Sequence, residues 1–328
     1  MDGARLATAD QPTAERTPLT RAATSRPRRH RRRDLTLLLM GLPALVQILI
    51  FAYLPMFGLV IAFKDYRFNE GILGSRWVGL ENFRYLFARG TAWRITYNTL
   101  VLNAIFITTT LVVSVIIAIL MNEIYKSMMA RLYQTALFLP HFVSWVIAGY
   151  FVFGFLSANP PGWVNRLIAS MGLDSIRWYQ SAEYWPGILT IVHLWKSIGF
   201  WSIVYLAGIL GISPEYYEAA KIDGATKLQQ IVYVTLPLLV PLIVTNLLLQ
   251  IGRIFYADFG LFYNVTQDQP ALYRTTDVID TFVYRSLRQL SNVSMAAAAG
   301  FYQAVVGLVL ISLVNWIVRR INPERALF

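Results

Sequence analysis

The chain of 328 residues contains no cysteine and only three histidines. The first absence removes disulfides, thiolate zinc sites, iron–sulfur clusters and a cysteine nucleophile. His30, His141 and His193 stand far apart in unlike contexts, which argues against a histidine metal centre. Charge is the third shortage: soluble domains carry about 25% Asp, Glu, Lys and Arg, and this chain carries 14%, with 56% hydrophobic residues. The missing charge is not spread evenly. Uncharged runs of 29, 28, 34, 25 and 30 residues separate Asp34 from Lys64, Arg94 from Glu123, Arg131 from Arg166, Lys227 from Arg253, and Arg288 from Arg319. An apolar run of about 18 residues or more suits a hydrocarbon core about 30 Å thick. Five such runs exclude an ordinary soluble enzyme.

The expected fold is all-α and polytopic, with six transmembrane helices near residues 35–63, 98–122, 135–156, 184–211, 236–256 and 296–318. The fourth is the least obvious because Lys196 interrupts it; a mid-membrane charge costs about 2.5–3.5 kcal/mol on insertion scales. Open β-structure would leave backbone groups unpaired in lipid, and no period-two alternation supports a barrel.

Nine of the 29 basic residues precede Asp34, and five of them, Arg28, Arg29 and Arg31 to Arg33, abut the first span. The positive-inside rule then places the amino terminus in the cytoplasm of a bacterial cell. Contact with anionic membrane lipid follows from the same cluster; a nucleic-acid partner does not. Residues 1–34 read as a disordered basic tail, and 35–63 as an uncleaved anchor. A 64–97 external loop comes next, then a 98–318 core, and 319–328 as a cytoplasmic end. Two further external segments, 157–183 and 257–295, are long enough to meet a soluble partner.

The interval between the fourth and fifth spans carries the function. Ser213 and Pro214 start a helix, with Glu215 and Glu218 near its positive end. Gly224 permits a backbone reversal, and a second short helix leads to Leu236 and Pro237. The result is a helix–turn–helix finger over 213–237, too short to be a domain alone. Its pattern is Glu218-Ala219-Ala220, three residues that include Asp223, Gly224, nine residues, then Val234, one residue and Leu236-Pro237. This resembles the EAA loop of ABC importer permeases, with Val234 where the family has Ile. Trp77-Val78-Gly79-Leu80-Glu81-Asn82-Phe83 and Asn98-Thr99 resemble the sugar-importer branch. Tyr53-Leu54-Pro55-Met56 and His193-Leu194-Trp195-Lys196 look like LplB- and MalF-like permeases for oligosaccharides or polysaccharide fragments.

The resemblance implies a type I ABC importer permease fold and a set of partners. These are a second homologous permease, a dimer of ABC ATPases, an extracytoplasmic solute-binding protein, and a sugar or oligosaccharide. Glu218 would make polar contacts across the ATPase interface, Ala219 and Ala220 would allow close approach, and Gly224 would set the turn. No G-x-x-x-x-G-K-[ST] occurs, so ATP and Mg would sit on the partner ATPase and no cofactor on this chain. A stand-alone secondary transporter is the alternative, but no internal repeat or intramembrane Asp or Glu accompanies it. A membrane enzyme lacks any nucleophile–base pattern.

Intramembrane polar residues are candidates for the substrate path. Asn246, Gln250 and Arg253 are spaced to share one face of the fifth span, and His193 and Lys196 one face of the fourth. Trp145 lies on a stripe of the third with His141. Each has a structural alternative: interhelical hydrogen bonding for the fifth-span face, a backbone contact or ion pair for Lys196, and helix packing for His193. Two cations on one cavity would suit an acidic sugar. Ala296, Gly300, Ala304 and Gly307 form a small-residue stripe for packing the sixth span.

Overall fold

The computed structural model describes residues 30–88, 90–125 and 128–321. It divides into two compact units, Met1–Met56 and Phe57–Phe328. The first holds the helix His30–Ile48, which begins before Asp34, so the end of the expected disordered tail is helical. Residues 1–29 and 322–328 lie outside the described residues, and so does most of each terminal tail.

Among the described residues, five helices are long and apolar enough to cross a membrane: Leu37–Phe63, Thr91–Ile124, Ala182–Leu210, Lys227–Ile251 and Val293–Arg320. The pair Met129–Phe142 and Trp145–Leu156 makes a sixth if counted as one span, but it is bent by 99° at the break. The uninterrupted third helix expected over 135–156 is therefore corrected. Pro140 follows Leu139 in a 3-10 turn, Leu139–Phe142, and Val143 is extended, as a chain cannot continue an α-helix through this geometry. Ser144 then caps the second half by accepting the N–H of Ile147 at 3.3 Å.

Two Leu-Pro steps are handled by a common device. A π turn over Leu49–Tyr53 precedes Leu54-Pro55, and another over Ile231–Thr235 precedes Leu236-Pro237. Proline cannot donate to the carbonyl four residues back and crowds it. The wide turn lets Leu54 bond Leu49 and Leu236 bond Ile231, five residues back, and the helix runs on. The fifth span therefore begins at Lys227 rather than at Leu236, and it stops at Ile251.

In the second unit the helices Thr91–Ile124 and Trp185–Leu210 form the central pair, with Phe106 stacked on His193 at 4.5 Å. One apolar cluster centres on Trp185, Leu189, Leu261 and Phe262; a second on Tyr205, Leu206, Ala118 and Leu239. On the sixth span Ala296, Ala299 and Gln303 are buried, whereas Ala304 is exposed and Gly300 faces open space. The buried face is offset from the small-residue stripe because Gln303 turns inward to donate to the Phe255 carbonyl at 2.7 Å.

The motif around Trp77 folds as a cap on residues 62–64. Lys64–Asp65 pairs antiparallel with Arg76–Trp77, and Phe63 stacks on Trp77 at 5.8 Å. Gly79 turns the chain at φ +60°, and Asn82 donates to the carbonyls of Ala62 and Lys64 at 2.9 and 3.0 Å.

Candidate functional site

The finger consists of the helix Pro214–Ile222, a reversal, and the helix start Lys227–Gln230. Ser213 occupies the N-cap position, but its side chain makes no capping bond; Pro214 alone shapes that entry. The far end is closed by backbone bonds. Ala225 N donates to Ala220 O at 2.9 Å and Gly224 N to Lys221 O at 3.1 Å, with Gly224 at φ +78°. That is the paired-bond stop of a Schellman motif, with Asp223 at the C-cap and glycine in the left-handed position. Two residues on, Thr226 opens the next helix with a capping box: Gln229 N donates to Thr226 Oγ1 at 3.4 Å, and Thr226 N to Gln229 Oε1 at 2.7 Å. The Thr-x-x-Gln spacing is visible in the sequence and is the signal that sequence reasoning passed over.

Three further contacts hold the finger in place. Buried Gln230 donates to the Ala225 carbonyl at 3.0 Å, Tyr217 and Thr235 hydroxyls meet at 3.0 Å, and Lys227 pairs with Glu123 at 2.9 Å. Glu123 ends the second span, so the finger sits against that end of the bundle. A cleft of about 370 Å³ lies between them, lined by Asn122, Glu123, Tyr217, Glu218, Lys221 and Lys227. Glu218, Ala219, Asp223 and Gly224 are exposed, and Ala220 is half-buried. Ile222 is 87% exposed and Tyr233 74%. An unpaired carboxylate, small residues and bare apolar tips together make a surface that a protein groove would cover. Leu236 is half-buried and Pro237 exposed, both inside the continuous fifth helix.

The substrate-path candidates do not converge on one site. His193 is packed against Phe106, and its Nε2 lies 3.4 Å from Ser197 Oγ. Asn246 and Gln250 are half-buried on the fifth span, and Asn246 adjoins Tyr205. Arg253 is exposed in a turn beyond Ile251, so it does not continue their face; the helix ends two residues too early. Trp145 and Lys196 do meet, with the Lys196 Nζ 5.1 Å from the ring centre. Lys196 is also occupied by backbone, donating to the carbonyls of His141 and Val143 at 2.6 Å each. Of its open alternatives, the backbone contact is the one observed. Trp145 Nε1 donates to Asp258 Oδ2 at 2.7 Å. Asp258 was not singled out from sequence; its signal is a lone carboxylate just past a span, followed by Gly260.

At the end of the bundle opposite the finger, the motif residues Asn98 and Thr99 pin an irregular segment. Asn98 donates to the carbonyls of Asp277 and Arg274 at 3.0 and 3.3 Å, and Thr99 Oγ1 accepts the N–H of Ile279 at 3.1 Å. Asp277 is fully buried between Arg94, at 3.1 Å, and Arg285. Arg285 also bonds Asp268 at 3.0 Å and lies over the Tyr273 ring. Asp280 accepts from Ala257 N and Gln303, and burial lifts its carboxyl above the ordinary value despite those donors.

Comparison with known proteins places this architecture. The family described as the binding-protein-dependent transport system inner membrane component matches residues 110–323. The chain is 36% identical over 291 residues to the polygalacturonan/rhamnogalacturonan transport system permease protein YteP of Bacillus subtilis (strain 168), covering 88% of this chain and 89% of that protein. It is 34% identical over 294 residues to protein LplB of the same organism, covering 89% and 91%. Among solved structures, a bacterial ABC transporter involved in the import of the acidic polysaccharide alginate contains a chain 37% identical, with a TM-score of 0.79 over 89% of this chain and 97% of that one. A bacterial alginate ABC transporter solved in complex with an alginate pentasaccharide-bound periplasmic protein also contains a chain 37% identical, with a TM-score of 0.79 over 88% of this chain and 96% of that one. The finger, the membrane helices and these likenesses agree: the chain belongs to the binding-protein-dependent transport system inner membrane component family and is a permease subunit of an ABC importer, not an enzyme.

Proposed function

We propose that this permease conducts acidic oligosaccharides and takes its drive from a separate ATPase dimer docked on the finger. The carrying observation is the finger itself: an exposed Glu218-Ala219-Ala220 helix stopped by left-handed Gly224 and braced by Lys227–Glu123. A short helix with bare apolar tips and a free carboxylate gains by entering a cleft in another protein. The acidic class rests on the likenesses to proteins named for polygalacturonan/rhamnogalacturonan and alginate.

In this reading the finger end and the amino terminus face the cytoplasm, where the basic cluster near the first span favours them. ATP and Mg belong to the ATPase. A second permease completes the path, and a solute-binding protein delivers ligand at the end that carries Asn98 and Arg285. Of the two cations expected on the path, Lys196 is engaged by backbone carbonyls, and exposed Arg253 is the one assigned to a sugar carboxylate.

The test is co-purification with uptake. Glu218→Lys is expected to leave the chain in the membrane, release the ATPase and abolish uptake of oligogalacturonate. Uptake that persists with the reversed charge overturns the docking role. Uptake of a neutral xylo-oligosaccharide at the same rate as oligogalacturonate overturns the acidic class.

A further inference from the structure

Lys196 joins two breaks in the helical structure. On one side lies the 99° bend of the third span. On the other lies Asp258, where the chain turns after the fifth span into the helical turn Leu261–Val265. We infer that Lys196 is a positioning residue, a strut through which the fourth helix, which carries the finger at its end, moves the break in the third. This inference rests on the docking role proposed above.

The geometry occupies both sides of the bend. His141, in the closing 3-10 turn of the first half, and Val143, in the break itself, offer their carbonyls, and Lys196 Nζ donates to both at 2.6 Å. A cation at the end of a helical segment also meets its negative pole. Trp145 starts the second half and is held twice, by Lys196 over its ring and by Asp258 on its indole N–H at 2.7 Å. Asp258 Oδ1 in turn accepts the N–H groups of Gly260 at 3.1 Å and Leu261 at 3.4 Å. Trp145 thus stands between Lys196 on its ring face and Asp258 on its ring edge. An ammonium has three donors, and two of them are spent on the backbone.

The packing leaves no slack. A Cβ at Gly199, on the same helix as Lys196, would run into the Leu137 carbonyl. A Cβ at Gly260 would enter the Trp145 ring, and one at Gly149 would strike the Asn264 carbonyl. Backbone therefore lies directly on backbone or ring, and close-packed groups transmit displacement rather than absorb it. The helix Ala182–Leu210 is continuous, and Lys196 stands 14 residues, about 20 Å, from its finger end. A shift of the finger moves that rod, and Lys196 passes the shift to the bend.

The experiment uses the whole importer in lipid vesicles and exploits the absence of cysteine. Spin labels at Leu132→Cys and Phe155→Cys read the distance across the bend, and labels at Ile222→Cys and on the ATPase read the finger, without nucleotide and with ATP and vanadate. In the unchanged importer both distances should shift. Lys196→Met should keep the finger shift, lose the shift across the bend, and slow oligogalacturonate uptake about tenfold or more with KM unchanged. Lys196→Arg, which retains two donors, should restore the shift. Trp145→Phe, which removes the N–H to Asp258 and part of the ring under Lys196, should reduce it. A Lys196→Met importer that keeps the shift across the bend overturns the strut, and a raised KM in it would make Lys196 a substrate ligand instead. Failure of Lys196→Arg to restore the shift also overturns it. If the finger does not move in the unchanged importer, it is the docking role that fails.

Discussion

The two ends of the helical bundle are built on opposite principles. The finger end is held by one exposed ion pair, one hydroxyl contact and one glutamine, with its tips bare. The opposite end buries Asp277 between two arginines and ties Asp268 and Tyr273 into the same knot. The contrast separates a surface made to be covered by a partner from a scaffold made to hold shape. Changes at the first should uncouple transport while sparing the fold; changes at the second should unfold it.

The largest effect should come from the scaffold. Arg285→Met leaves Asp277 and Asp268 short of a partner in a buried site, where the Asp277 side chain is 1% exposed. Breaking a buried pair costs about 3–5 kcal/mol, so thermal unfolding in detergent should begin many degrees lower. Unfolding at the unchanged temperature would show that this end is no scaffold. Next comes Gly224→Val. No atom stands within 4 Å of its missing side chain, so the penalty is the left-handed backbone alone. That conformation costs an L-residue about 1–2 kcal/mol, more when β-branched. The helix stop is deformed, uptake should be lost, and the amount of protein in the membrane should not change. Gly224→Asn, which tolerates this conformation, should recover most of the uptake.

A third change tests the scaffold through pH. Burial raises the Asp280 carboxyl above its unfolded value, so the folded chain holds its proton more firmly. The stability linked to this proton is fully present below the ordinary carboxylate range and is lost as pH rises through the raised value. Asp280→Asn should flatten that decline in an unfolding series across the window. A decline of equal slope in the variant would assign it to another group. The smallest effect belongs to the Lys227–Glu123 pair, whose side chains are 67% and 42% exposed. A double-mutant cycle should return about 0.2–1 kcal/mol, falling with salt. A larger coupling would mean that the finger is held as firmly as the opposite end.

What sequence reasoning captured follows from physics that is local or one-dimensional. Charge gaps located the spans because lipid excludes charge over a fixed thickness. The finger was legible because its proline start, turn glycine and spacing are contiguous, although its capping box at Thr226 was missed. The bend at Val143 was legible only as Pro140, a residue able to kink a helix, because no charge interrupts residues 132–165 and a charge gap does not sense direction. Lys196 was correctly marked as exceptional, yet its partners are carbonyls 53 and 55 residues away that no composition reveals. Arg253 illustrates the reverse error: helical spacing was extended past the point where the helix stops.

The Schellman stop and the capping box stand back to back between Ala220 and Gln229. The bonds that close this reversal join residues between Ala219 and Gln230, at most five positions apart. The reversal is thus a self-contained cassette. Its outline is therefore set by its own short stretch of sequence rather than by the membrane helices around it.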